Sequence, residues 1–66
     1  MGENFNENLK KARLESGLSQ KELSENIGVA KSTYSLYESG KREPNVNTIK
    51  KIASALNVSA DILLGT

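Results

Sequence analysis

Apolar residues recur along this chain at intervals of three and four, and no segment sustains the alternation of a strand. Phe5, Leu9, Ala12 and Ser16 form one stripe of a first helix, with Asn4 and Glu7 spaced as a capping box and Gly17 as its stop. Ser19 and Glu22 form a second S-x-x-E box, with Leu18 placed as a staple before it. Leu23 and Ile27 then point inward, and Gly28 ends this second helix. A third helix is expected from about Ala30 to Ser39, stopped by Gly40. A fourth follows Pro44, capped by Asn45, with Val46, Ile49, Ile52, Ala53 and Leu56 inward and Asn57 at its end. Ser59 is placed to cap a short fifth helix in which Ile62, Leu63 and Leu64 are expected to bury. The pattern predicts an all-α fold, a five-helix bundle forming one domain over residues 1–66.

Two short helices joined by Ile27-Gly28-Val29 have the layout of a helix-turn-helix, spanning about residues 19–39. Such a unit presents its second helix to the DNA major groove. At 100° per residue, Ala30, Thr33, Tyr34, Tyr37 and Glu38 fall on one side of the third helix. Lys31, Ser32, Ser35 and Leu36 fall on the other. The first side carries the rings and suits packing. The second is poor for burial: lysine reaches guanine acceptors or phosphate, serine pairs with several bases, and leucine packs on a thymine methyl. An isolated helix with this face would be read as merely solvated; the preceding helix and turn favour the groove. Gln20 follows the N-cap of the second helix, where a free N–H at a positive helix end seats phosphate, and its side chain can also brace the third helix.

Composition narrows the classes. Nine basic and eight acidic residues give a net charge of +1, which is not the field of a non-specific nucleic-acid coat. Locally, Lys31, Lys41 and Arg42 face Glu38 alone between Ala30 and Arg42. There is no cysteine and no histidine, so neither a disulfide staple nor a zinc site is expected, and no cofactor or metal is called for. Without those residues, and without a Gly-rich phosphate loop, an enzyme is the weakest reading. No apolar run approaches a membrane span and the first eight residues are too polar for a signal peptide, so a soluble, cytoplasmic protein is expected. No small-molecule ligand is evident.

LSQKEL, Ile27-Gly28-Val29, Thr33-Tyr34-Ser35, Glu38-Ser39-Gly40-Lys41 and Pro44, followed by IKKIASALNVSADILLGT, resemble the Cro/repressor-type (XRE-like) helix-turn-helix family of phages and bacteria. The resemblance runs from about Phe5 onward and implies a lambda-repressor-like fold. It also implies a transcription regulator, a repressor in the leading reading, that binds double-stranded DNA as a homodimer on a palindromic operator. By position, Gln20, Lys31, Ser32 and Leu36 match base-reading or base-adjacent sites, and Ser35 shares their face. Ser19, Thr33, Ser39, Lys41 and Arg42 match positions near phosphates. Arg13 and Glu38 match a pair joining the first and third helices. Two departures stand out: Ala30 where the family often caps the third helix with Ser or Thr, and Tyr34 where it has an aliphatic residue. Ile62 and Leu63 are the expected self-contact. The rival reading is a protein-interaction or antitoxin-type module on the same fold, with Leu14 as its contact.

Overall fold

A computed structural model describes residues 4–65 of the chain. The helices are α1 (Phe5–Ser16), α2 (Gln20–Ile27), α3 (Lys31–Ser39), α4 (Val46–Leu56) and α5 (Ala60–Leu64), and among the described residues there is no strand. The core gathers Phe5, Leu9 and Ala12 of α1, Leu23 and Ile27 of α2, Tyr34 and Tyr37 of α3, Ile49, Ile52, Ala53 and Leu56 of α4, and Leu63 of α5. Every helix contributes, because each buries only one stripe and none is long enough to be stable alone. α1 and α4 are the scaffold on which the α2–α3 unit rests.

Local chemistry sets most boundaries. Ser19 is extended, accepts a hydrogen bond from the Glu22 N–H at 3.0 Å, and donates its own N–H to Glu22 Oε1 at 3.0 Å, completing the expected box. Asn45 accepts from the Thr48 N–H at 2.8 Å and starts α4 in the same way. Gly28 turns the chain between α2 and α3 at φ +75°, a left-handed conformation costly to residues with a Cβ. The Val29 N–H then closes back on the Ser24 carbonyl at 3.0 Å, a Schellman closure that sends the chain directly into α3.

Several expectations need correction. Asn4 makes no side-chain cap bond, because its backbone (φ −100°, ψ 11°) is not in the extended conformation that aims the side chain at the first turn. Ser59 is extended but likewise makes no side-chain cap bond; its carbonyl instead accepts the Ile62 N–H at 3.2 Å in a tight turn. Ser16 is exposed at the end of its stripe, and Ala30 is exposed ahead of α3. Val46 is 66% exposed, since it begins α4 about 70° round the helix from the buried stripe. In α5, five residues make little more than one turn, so one face alone goes inward. Leu63 is fully buried, Leu64 is half-buried, and Ile62 is 56% exposed. Leu63 is therefore core and not surface, and of the two expected self-contact residues only Ile62 is accessible.

A candidate nucleic-acid interface

The site begins with what holds α3 in place. Glu38, buried on its inner side, is the meeting point of three helices. Arg13 of α1 donates Nε–H to Glu38 Oε2 at 2.5 Å and Nη2–H to Oε1 at 3.2 Å, a two-pronged grip. Its Nη1–H goes to the Leu18 carbonyl at 2.8 Å, tying the α1–α2 connection to the same guanidinium. Gln20 of α2 donates its side-chain amide to Glu38 Oε1 at 3.2 Å, and the Tyr34 hydroxyl donates to Oε2 at 2.5 Å. Asn6 adds a bond to the Glu38 carbonyl at 3.4 Å. Tyr34 and Tyr37 pack edge to face, with centroids 6.2 Å apart.

The electrostatics follow from these contacts. Burial alone would push the Glu38 carboxyl up, but hydrogen bonds from Arg13, Tyr34 and Gln20 outweigh it and hold the group below its ordinary value. Hydrogen bonding to Glu38 raises Arg13 against the opposing effect of burial. Burial, then the hydrogen bond to Glu38, pushes the Tyr34 hydroxyl well above its ordinary range. Glu38 is thus an anion and Tyr34 a neutral donor throughout the neutral range.

The opposite side of α3 is open. Lys31 and Ser32 are exposed, and Ser35 and Leu36 are half-buried. No side chain caps the start of this helix, since Ala30 has nothing to offer. Beyond α3, the Lys41 and Arg42 N–H groups both bond the Leu36 carbonyl, at 3.1 and 3.3 Å, and both side chains are exposed. Ser39 is exposed and its hydroxyl donates to the Leu36 carbonyl at 3.1 Å, while Thr33 is half-buried. Ser19 lies at the start of α2, its hydroxyl engaged with Glu22. Lys31, Ser32, Ser35 and Leu36 of α3, and Lys41 and Arg42 of the loop that leaves it, are thus all exposed or partly exposed. Of the two expectations for Gln20, a base-facing amide and a brace on the third helix, the structure shows the brace, its amide being turned to Glu38. The Tyr34 hydroxyl was not anticipated as a partner; its signal was the i, i+4 spacing of Tyr34 and Glu38 on one helix.

Two short helices locked at a fixed angle by a three-residue turn, the second open on its outer side, define a helix-turn-helix domain. The chain belongs to the helix-turn-helix family of XRE-like type, whose model matches residues 9–63. It is similar to the protein named as an uncharacterized HTH-type transcriptional regulator, YqaE, of Bacillus subtilis, at 42% identity over 60 residues, covering 91% of this chain and 52% of the relative. It is also similar to the cryptic phage CTXphi transcriptional repressor RstR of Vibrio cholerae, at 37% identity over 54 residues, covering 82% of this chain and 49% of the relative. Among solved structures, the hypothetical transcription factor NHTF from Neisseria superposes with a TM-score of 0.85 at 32% identity, over 91% of this chain and 67% of that one. The chain spans about half the length of these curated relatives. Among the described residues no helix is long and apolar enough to cross a membrane.

Proposed function

We propose that this chain is a sequence-specific double-stranded-DNA-binding domain of a cytoplasmic transcription regulator, acting as a repressor, that inserts α3 into the major groove. The observation that carries this reading is the asymmetry of α3. Its inner side is pinned by directional bonds to Glu38, while its outer side offers one cation, small hydroxyls and a leucine beside a basic loop. Rigid placement and an open, small-residue face are what groove entry requires. Lys31, Ser32, Ser35 and Leu36 face base edges in this reading. Ser19, Thr33, Ser39, Lys41 and Arg42 lie toward phosphates, and Gln20 acts as a brace with its backbone N–H toward the backbone. Lys31 reads guanine, since Lys41 and Arg42 already serve the phosphates.

The short reach of α3 supports a homodimer on a palindromic operator. α3 has nine residues and is about 13 Å long, whereas successive major grooves on one DNA face lie roughly 34 Å apart. One copy thus reads one short groove segment, too few base pairs for a specific site. Exposed Ile62 borders a shallow groove with Asn8, Lys11, Ala12 and Glu15 of α1. Lys11 and Glu15 are of opposite sign and one turn apart, so across a two-fold axis each meets its opposite on the second copy.

A protein-binding module is the second reading, favoured by Leu14, which is 58% exposed on the outside of α1. Selection of duplexes from a randomised library, followed by a salt titration of the best binders, separates the two. DNA binding through about six to ten phosphates loses roughly 10³–10⁵ in affinity between about 50 and 200 mM salt, and footprints cover two half-sites. Salt-independent or sequence-independent binding overturns the proposal, and a one-to-one complex on a single half-site overturns the dimer.

A further inference from the structure

α1 carries one device twice. Asn6 and Asn8 flank its buried stripe of Phe5, Leu9 and Ala12, and each sends its side-chain amide to the end of another helix. Asn6 donates to the Glu38 carbonyl at 3.4 Å, two residues before Gly40. Asn8 donates to the Leu63 carbonyl at 3.3 Å, two residues before Gly65. Both glycines are left-handed, at φ +79° and +74°, and each lies against its asparagine: a Cβ on Gly40 would meet Asn6 Nδ2 at 3.4 Å, and one on Gly65 would meet Asn8 Nδ2 at 3.1 Å. The last carbonyls of a helix have no partner within it, so a donor from a neighbouring helix fixes the final turn in place.

The two ends differ in what they carry. α5 and its approach, from Asn57 to Gly65, contain no cation. α3 leads through Gly40 into Lys41 and Arg42, whose N–H groups close on the Leu36 carbonyl and whose side chains are exposed. The chain stays exposed until Pro44, which is buried. The direction in which both cations leave the helix is therefore set at its last turn and at Gly40, where Asn6 reaches across from α1. Arg13, Tyr34 and Gln20 hold the Glu38 side chain and aim the helix as a whole. Asn6 holds the main chain of that same residue, at the point where the loop departs.

We propose that Asn6 is a positioning residue for phosphate binding: by fixing the exit of α3 it presents Lys41 and Arg42 together to the DNA backbone, acting through the loop and not through a contact of its own. This rests on the DNA-binding reading given above and concerns the phosphates, not the bases. Asn8 makes the equivalent bond where there is no cation to aim, so its loss is a matched control.

The test is the salt dependence of binding to a library-selected duplex, followed by fluorescence anisotropy at a temperature where thermal melts show every chain folded. The slope of log affinity against log salt reports the number of phosphates engaged, a quantity that a small loss of stability does not move. Asn6→Ala should flatten the slope by about one and weaken all sequences alike, by about eightfold per lost contact at about 0.1 M salt. Asn6→Leu, which keeps the bulk over Gly40 but cannot donate, should do the same, while Asn8→Ala should keep the parent's slope. In a chain carrying both Lys41→Ala and Arg42→Ala, adding Asn6→Ala should change the slope no further. A parent-like slope in either Asn6 variant overturns the proposal. So does an equal flattening by Asn8→Ala, which would mark a general loosening of α1, or an undiminished effect of Asn6→Ala once the cations are gone. If removing Lys41 and Arg42 leaves the slope untouched, the loop holds no phosphate and the role of Asn6 falls with it. A parent that binds no duplex in a salt-dependent way shows instead that the DNA-binding reading itself has failed.

Discussion

Replacing either partner of the Arg13–Glu38 pair should cost more than replacing both. The side chains are 10% and 4% exposed, so each single change leaves a charge in a nearly closed site. Breaking such a pair typically costs about 3–5 kcal/mol. Glu38→Leu belongs at the upper end, because it strands the guanidinium with the Leu18 carbonyl as its remaining acceptor and also orphans the Tyr34 hydroxyl and the Gln20 amide. Arg13→Met is milder, since Tyr34 and Gln20 still donate to the carboxylate. In the double variant no charge remains, and the main loss is the unpaired Tyr34 hydroxyl, about 1–3 kcal/mol. The coupling energy of the cycle should therefore exceed about 2 kcal/mol, and adding Tyr34→Phe should restore part of the residual loss. Domains of this size have only about 3–10 kcal/mol of total stability, so the single variants sit near the unfolding threshold. Urea titrations followed by circular dichroism at 222 nm, run with a fixed concentration of a stabilising osmolyte, keep all four chains measurable. Losses that add to within about 0.5 kcal/mol would show that the two residues do not depend on one another.

Two further outcomes are expected. Ala30→Ser should raise stability by roughly 0.5–2 kcal/mol, because residue 30 is already extended ahead of α3 and lacks only the acceptor; an unchanged melting curve would mean that solvent already satisfies those donors. Acid should destabilise the fold through Glu38, whose depressed folded value makes its contribution complete above the ordinary carboxylate pKa of about 4.3 and progressively lost as pH falls toward the lower folded value. Urea midpoints between about pH 6 and pH 3 should decline less steeply in Glu38→Gln than in the parent, and equal slopes would reject the assignment.

The helices were legible because their signals are local. The stripes of α1 and α4, the Ser19–Glu22 box and the Asn45 cap all depend on residues within a turn or two of one another. Asn4 and Ser59 have the right side chains, but a cap also requires a conformation and a geometry that residue identity does not carry. Val46 and Ile62 misled because periodicity says least at the first residue of a helix and within a helix of little more than one turn, where a residue can face away from the core without cost to it. Within the site, Arg13 and Glu38 were found through position and resemblance. Gln20 was legible as a brace on the third helix, but its target, Glu38, lies 18 residues away and depends on how three helices converge. Tyr34 was read for its ring, and its hydroxyl proved to be the more specific contact.

The convergence on one carboxylate adds a constraint of direction to the apolar core. Apolar contacts are non-directional and tolerate exchanges of similar volume, so they govern how firmly the domain is folded. The forked guanidinium, the amide and the phenol impose angles as well as distances, so besides stabilising the fold they set where α3 points. Substitution among Leu9, Ile49, Ile52 and Leu56 can consequently accumulate over generations without re-aiming the exposed helix. The outer residues of that helix are correspondingly free to change from one descendant to the next while Glu38 keeps the mounting the same.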